Sequence, residues 1–503
     1  MGKMFLRDLF IGLLLSLLLF VSGHAQTMTW VSSTDDGYWQ RQSVKLSSAA
    51  AQKPAVEAEP AADGTVFKAW GTCFNELDWD ALNMLPRAAQ EEVMQRMFAP
   101  DGDLKFTRGR LSMNANDYSR SWYSCDEVAG DFQLRHFNIE RDKRNVIPLI
   151  RAAQRYQPGL TFWVSPWSPP SWMKINGDYP VRSSKYNTLD PRKDYLLYEG
   201  ALDTDPDEVM LAGQQEGVFP KRLAVSDYMI QDPRYLQAYA NMFCRFIELY
   251  AEQGVPIDMV MYQNEAYSYT PYPGCAWTAE GTIRFNKEYL APTLRRRHPG
   301  VSLCLGTFNT NRLDYVERIV SSLKDDVDGL GFQWEGRENL EAVRAHYPGL
   351  KLISTESECG NGSMDWKAGE HTFFLLADYI GKGCEEYYIW NFLLADHGES
   401  PWGWRQNALI QVDSKTRTHR YTPEYYAVKH FSHFVTPGSR MLAYNGKAEK
   451  EGRPVIVFSS PKGKTIVMMG NFTDSVQSLT VRLGNSHLNV RLQPHSFNTF
   501  VEK

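Results

Sequence analysis

The residues able to do chemistry in this chain stand where apolar runs end in amides and carboxylates. The run DMVMYQNE closes on Asn264 and Glu265, and LKLISTES carries Glu356, followed two residues later by Glu358. Arg110 lies within FTRGRLSMNAND, with Asn114, Asn116 and Asp117 after it, and VFKAWGTCFNE ends on Asn75 and Glu76. LTFWVSPW ends on Trp167, VDGLGFQWEG contains Gln333, Trp334 and Glu335, and EEYYIWN ends on Trp390 and Asn391. Carboxylates at the edge of apolar runs are destabilising unless paired, so their recurrence is poorly explained by packing. Two carboxyls about 5–5.5 Å apart, one protonated to assist departure and one ionised to attack, hydrolyse a glycoside by double displacement. Glu265 and Glu356 fit those roles, with Asn264 placed for the sugar 2-hydroxyl, a contact that strengthens as oxocarbenium character develops. Arg110 is expected to hold Glu356 ionised, because a nearby cation lowers a carboxyl pKa, while burial beside a negative charge keeps Glu265 protonated.

Each element alone is weak, since an Asn-Glu dipeptide is more often a solvated or salt-bridged loop. Glu358 rivals Glu356, because residues two apart on a strand share a face, and Glu335 is a third candidate whose expected role is substrate binding. The elements that carry these residues strengthen the reading. Eight β-rich runs, at 66–76, 106–117, 160–167, 258–265, 301–309, 327–336, 350–357 and 385–391, alternate with stretches whose apolar residues recur at three and four. Among the helical stretches are ALNMLPRAAQEEVMQRMF, NVIPLIRAAQRY and PRYLQAYANMFCRFIELYAEQG. Eight βα units predict a (β/α)8 TIM barrel over residues 66–432, with its active site at the C-terminal strand ends. A doubly wound sheet is the weaker reading, because no GxGxxG turn follows the first strand.

Beyond residue 435 the pattern changes to short alternating runs such as PVIVFSS, TIVMMGNF and SLTVRL, which predict a β-sandwich over 433–503. The segment MTWVSSTDDGYWQRQSVKLS is expected to add strands to it, because an isolated strand pair is not stable alone. Residues 26–65 thus read as sandwich strands followed by an Ala- and Pro-rich linker over 47–65. Residues 1–25, with Lys3 and Arg7 ahead of an apolar run at 9–21 and then Gly23-His24-Ala25, have the layout of an export signal cleaved after Ala25. The apolar run is shorter than the roughly 20 residues that span a bilayer, and no lipidation motif accompanies it, so no stable membrane anchor is expected. The expected location is extracellular or periplasmic.

A formal net charge of −5 supplies no attraction for nucleic acid or an anionic membrane, which favours a neutral substrate. Aromatic residues form 13% of the chain, including 14 Trp, enough to offer flat faces to sugars. Seven cysteines without a CxxC pair read as mostly free buried thiols. No HExxH or clustered His/Asp set is present, so neither metal nor cofactor is expected.

The segments GRLSMNANDYS, GDFQLRHFNIERDKRNVIPLI, FWVSPWSPPSWMKINGDY, YQNEAYSY, LISTESECGNG and YYIWNFLL together resemble glycoside hydrolase family 30, the family of lysosomal glucosylceramidase and microbial β-1,6-glucanases. The resemblance runs from about residue 66 onward and implies a barrel with a side β-sandwich made from both chain ends. It implies that Glu265 is the acid/base and Glu356, the first glutamate of TESEC, the nucleophile, resolving the tie with Glu358. It also implies that Glu76, Trp167, Asn264 and Trp390 line the pocket of the nonreducing-side sugar. Glucosylceramidase-like members tend to read His-Trp-Tyr where this chain has Gln333-Trp334-Glu335, and Asn-Glu-Pro where it has Asn264-Glu265-Ala266. FQWEG, CFNELDWDALNML and ESECGNGSMDW instead resemble the β-1,6-glucanase branch. The expectation is a retaining endo-β-1,6-glucanase acting on a β-linked glucan or glucoside. The alternatives are an exo-acting β-glucosidase, glucosylceramidase or β-xylosidase and, as a different class, a noncatalytic carbohydrate-binding protein.

Overall fold

Each of the eight apolar runs forms a strand in the computed structural model, which describes residues 26–59, 64–197, 222–223, 226–446 and 451–503. The proposed export signal lies outside the described residues. The strands are β1 (Ala69–Cys73), β2 (Arg108–Met113), β3 (Thr161–Pro166), β4 (Ile257–Met261), β5 (Ser302–Phe308), β6 (Gly329–Phe332), β7 (Lys351–Ser354) and β8 (Glu386–Ile389). They pair in parallel, each with its neighbour in this order, and β8 returns to β1, so the sheet closes into a TIM barrel rather than the open doubly wound alternative. Closure buries both faces, which is why apolar residues occur on both faces of most of these strands, with Arg108 and Arg110 of β2 and Asp258 of β4 among the charged exceptions. The barrel interior is filled by Trp163, Met259, Met261, Cys304, Ile353 and Tyr388.

The helices pack outside the barrel. The longest described, Pro233–Glu252, starts at Asp232, whose side chain accepts from the Arg234 N–H with Pro233 in the first turn. Its buried Leu236, Tyr239, Phe243, Ile247 and Tyr250 recur at three and four. The stretch read as one helix from residue 81 is two, Glu76–Met84 and Arg87–Phe98. Leu85 is extended and Pro86 caps the second helix, as expected of a residue that lacks an N–H and disfavours helical geometry before it.

Both chain ends build the side β-structure. One sheet has the order Arg440–Tyr444, Val455–Ser459, Thr465–Asn471, Ser496–Glu502, Thr27–Thr34, Gly37–Lys45. A second joins Ser486–Leu492, Gln477–Leu483 and Val56–Ala58. The last strand falls inside the expected linker. Val56 and Ala58 are buried, so a short sequence of small residues is held by pairing with Val481 and Leu483, a long-range contact invisible to local composition. No described helix is long and apolar enough to cross a membrane. All seven cysteines are buried, with free thiols.

The two parts meet around His430, on the helix Pro423–Ser432. Its buried ring lies 2.9 Å from Ser33 Oγ on one side and 2.9 Å from Thr499 Oγ1 on the other. Nearby, Trp39 stacks on Phe434 and receives the Lys429 ammonium 4.2 Å from its ring centre. Burial lowers the His430 pKa from 6.5 to about 3, helped by the neighbouring Lys429 charge. Between those values the unfolded chain binds more protons than the folded one, so this group removes stability as the pH falls from 6.5 toward 3. His430→Gln, which keeps a neutral hydrogen-bonding group, is expected to flatten the pH dependence of urea unfolding by up to about 1.4 kcal/mol per pH unit in this window.

Candidate active site

Arg110, on β2, has a side chain that is 0% exposed, and its guanidinium organises the barrel mouth. Its Nη1 donates to Glu356 Oε2 at 2.7 Å and to the Thr355 carbonyl at 3.1 Å. Its Nη2 donates to Asn264 Oδ1 at 2.6 Å and Ser165 Oγ at 3.2 Å. The guanidinium carbon stands 4.7 Å from the ring centre of Trp163, 4.5 Å from that of Trp167 and 5.6 Å from that of Trp390. Asn264 Oδ1 also accepts from Gln333 Nε2 at 3.2 Å, and the same Nε2 donates to Glu265 Oε1 at 3.0 Å. Glu356, Arg110, Asn264, Gln333 and Glu265 thus form one chain of hydrogen bonds fed by four different strands.

Backbone geometry aims the acids. Glu265 has φ +48° and Trp334 φ +49°, both in the left-handed region that non-glycine residues occupy at some energetic cost. The Glu265 N–H donates to Thr307 Oγ1 at 3.0 Å, and its Oε2 accepts from Ser268 Oγ at 3.1 Å and Tyr272 OH at 3.3 Å. Trp334 Nε1 donates to Glu356 Oε1 at 3.3 Å. Above these groups lies a cavity of about 250 Å³.

Of the residues singled out in the sequence, Trp167, Asn264, Glu265, Trp334, Glu335 and Glu356 line this cavity. Arg110 and Gln333 are buried against its acids. Trp390 is buried and stacks on Trp167 with ring centres 5.1 Å apart, its Nε1 donating to Gln406 Oε1 at 2.7 Å. Glu76 is not among the lining residues, contrary to expectation. As the first residue of a helix it is 1% exposed, and its oxygens are taken up by Arg141, Asn145 and the Arg120 N–H, each at 2.7–2.8 Å. Glu358 does not share the direction of Glu356. β7 ends at Ser354, so the two-residue alternation no longer applies, and Glu358 turns to His371 at 2.7 Å and Arg337 at 3.4 Å.

Asp117, named at the end of the β2 run without a role, also lines the cavity, and Ser268, Tyr272, Asn309 and the trio Trp404, Arg405 and Gln406 line it without having been singled out. Asp117 had a signal, because it follows Arg110 at the end of an apolar run. The trio had none, since it lies in an irregular loop after β8. Asp117 is 4% exposed, and its Oδ1 has no hydrogen-bond partner among the described residues.

Burial dominates the titration of all three acids. It raises Glu265 despite the hydrogen bond from Gln333. It raises Glu356 to about 7, outweighing the Arg110 charge, with the negative charge of Glu265 adding to the rise. The sequence expectation that Arg110 would depress Glu356 therefore has the right contact and the wrong net sign. Asp117 is pushed well above the usual carboxylate range by burial and then by the charges of Glu356 and Glu265. One cation serves three crowded carboxyls, so protons stay on the site near neutral pH. Among the described residues no group of three or more His, Cys, Asp or Glu is arranged to hold a metal ion.

The profile of the glycosyl hydrolase family 30 TIM-barrel domain matches residues 67–188 and 228–435. The putative glucosylceramidase 1 of Caenorhabditis elegans is 23% identical over 429 residues, covering 80% of this chain and 73% of its own. The endo-1,6-β-D-glucanase of Neurospora crassa is 22% identical over 453 residues, covering 85% and 83%. Among solved structures, the endo-β1,6-glucanase BT3312 superposes with a TM-score of 0.72 at 19% identity, over 95% of this chain and 99% of that one.

Removing the shared cation is expected to destabilise the fold itself. Arg110→Met should lower the free energy of unfolding in urea by about 3–5 kcal/mol, because it leaves Glu356 and Asn264 buried without their partner.

Proposed function

The chain belongs to glycosyl hydrolase family 30, and we propose that it is a retaining β-glycosidase in which Glu265 is the general acid/base and Glu356 the nucleophile. The observation that carries this reading is the hydrogen-bonded chain in which one guanidinium grips Glu356 while an amide pair links it to Glu265. The pair shares its proton unequally. Arg110 and the Trp334 N–H both donate to Glu356, so the negative charge rests there, whereas the side-chain donors to Glu265 are the neutral Gln333, Ser268 and Tyr272, with Arg110 acting on it only through space, and it keeps the proton.

In the first step Glu356 attacks the anomeric carbon and a glycosyl ester forms, while the Glu265 proton passes to the departing oxygen. In the second, Glu265 takes a proton from water, the water oxygen attacks the anomeric carbon, and the ester bond to Glu356 breaks. Two inversions leave the configuration retained. Asn264 has its Oδ1 fully engaged by Arg110, Thr307 and Gln333, which leaves its Nδ2 hydrogens to meet the sugar 2-hydroxyl. Trp167, backed by Trp390, supplies the flat face for the sugar ring.

The substrate proposed is a β-1,6-glucan cleaved internally by an exported enzyme. Support comes from the FQWEG and ESECGNGSMDW segments, from the similarity to the Neurospora crassa endo-1,6-β-D-glucanase, and from the export-signal layout of residues 1–25. The similarity to putative glucosylceramidases keeps a second reading, an exo-acting β-glucosidase on glucosylceramide.

With residues 26–503 and a linear β-1,6-glucan, oligosaccharides are expected first as the β-anomer by NMR; first appearance of the α-anomer would refute retention, and glucose alone would transfer the assignment to the exo reading. Glu356→Gln should remove turnover by more than about 10⁴-fold while leaving glycan binding and folding in place. Glu265→Ala should lose less rate on a dinitrophenyl glycoside than on the glycan, since a good leaving group needs little protonation.

The pH profile of kcat/KM should be bell-shaped, its acid limb set by ionisation of the nucleophile and its alkaline limb by loss of the acid proton. Glu265→Gln should remove the alkaline limb on the activated substrate. It should leave the acid limb in place to within about half a pH unit, because Glu265 still holds its proton, and so carries no charge, while Glu356 ionises. An acid limb that falls by about a pH unit or more would contradict the assigned order, since it would show that Glu265 is already charged when Glu356 ionises.

A further inference from the structure

Four large apolar side chains are exposed among the described residues, Val128, Tyr186, Trp404 and Val476; Trp404 lines the cavity, and Tyr186 lies against the neighbouring Gly403. Trp404, at 39%, is the one exposed tryptophan of 14. The loop around it is built to present it. Trp402 is 4% exposed and anchors the loop through its Nε1, which donates to Tyr179 OH at 3.2 Å. The turn is closed by the Gly403 N–H on the Ser400 carbonyl at 3.0 Å and the Ser400 N–H on the Trp404 carbonyl at 2.7 Å. Gly403 has φ +84°, and a Cβ there would fall 2.6 Å from Tyr186 Cε2. A glycine is therefore required for the Tyr186 ring to lie against the turn beside Trp404.

The direction from the acids fixes what this platform faces. The Trp404 ring centre is 5.8 Å from that of Tyr272, whose hydroxyl donates to Glu265 Oε2 at 3.3 Å. On the other flank Trp167 and Trp390 stack over the Arg110 guanidinium. Resting on the proposed acid/base role of Glu265, we infer that Trp404, with Tyr186 beyond it, is a leaving-group-side subsite that stacks against a glycosyl residue of the departing chain. A proton leaving Glu265 goes to the leaving-group oxygen, so the surface continuous with Glu265 meets the leaving group. A sugar suits it, because an indole face takes the apolar C–H face of a pyranose while Arg405, Gln406 and Glu335 surround it with hydrogen-bonding groups. A lipid chain would need a continuous apolar strip, whereas the loop around Trp404 carries Glu399 and Arg405 as an ion pair at 3.1 Å.

The test compares Trp404→Ala and Tyr186→Ala with the unaltered protein on two substrates, a β-1,6-linked glucotetraose and β-glucosyl fluoride, whose leaving group has no ring to stack. For Trp404→Ala the expected fall in kcat/KM is about tenfold or more on the tetraose, mainly through KM, and under about threefold on the fluoride. Tyr186→Ala should give the same pattern with a smaller fall. Equal losses on both substrates, or an unchanged tetraose rate, would overturn the subsite while leaving the glycosidase standing. Cleavage of the fluoride but not the tetraose by the unaltered protein would also overturn it. If neither fluoride nor tetraose is turned over, the proposed function falls and the subsite with it.

Discussion

A guanidinium sealed beneath the barrel mouth is the constraint on which the site depends. Taking such a charge out of water is unfavourable by several kcal/mol unless its donors and its charge are met. Here one carboxylate, one amide oxygen, one backbone carbonyl and one hydroxyl meet four N–H directions, and three tryptophan faces meet the charge. Arg110 Nε has no hydrogen-bond partner among the described residues, so the aromatic faces are part of the compensation rather than ornament. Lysine in this position would offer a point charge without the planar fork that holds Glu356 and Asn264 at once.

That compensation also fixes everything downstream. Because Asn264 turns its oxygen to Arg110, it must present its amino group to the cavity, and because Gln333 bridges Asn264 and Glu265, the second acid is held by the same chain. Arg110 lies within β2, and the other members follow the ends of β4, β6 and β7, with Trp390 after β8. No local segment contains the site, and it forms only when the sheet closes. Left-handed backbone at Glu265 and Trp334 is tolerated because closure and the Thr307 contact over-determine it.

The strands were legible in the sequence because a barrel strand buried on both faces has to be an apolar run of limited length, and its end has to carry the polar residues. That rule points to Glu265, Trp167 and Asn264, and to Glu356 together with Glu358, a tie that only the family resemblance resolves. Glu76, which the resemblance puts in the pocket, ends a run too but begins a helix, and Arg141 and Asn145 claim its oxygens. The rule left Glu358 tied with Glu356 because alternation was extended past Ser354, where the strand stops. The Val56–Ala58 strand was hidden because its stability belongs to Gln477–Leu483, more than 400 residues away. The titration of Glu356 was misjudged for a related reason: a contact with Arg110 can be read from residue types, but the depth of burial that outweighs it cannot.

What stayed illegible shares one physical character. Trp404, Arg405, Gln406, Tyr272 and Asn309 sit on irregular connections, where no periodicity constrains which side chain faces the cavity. The catalytic floor, by contrast, is bound to the barrel by the compensation of Arg110, so changes there disturb the fold itself. Loops are free of that demand, because a solvent-facing ring such as Trp404 can be replaced without stranding a buried charge. Loops of this kind can vary while the barrel that carries the acids is kept. Under the proposed assignment, the floor would set the reaction and the rim what is brought to it.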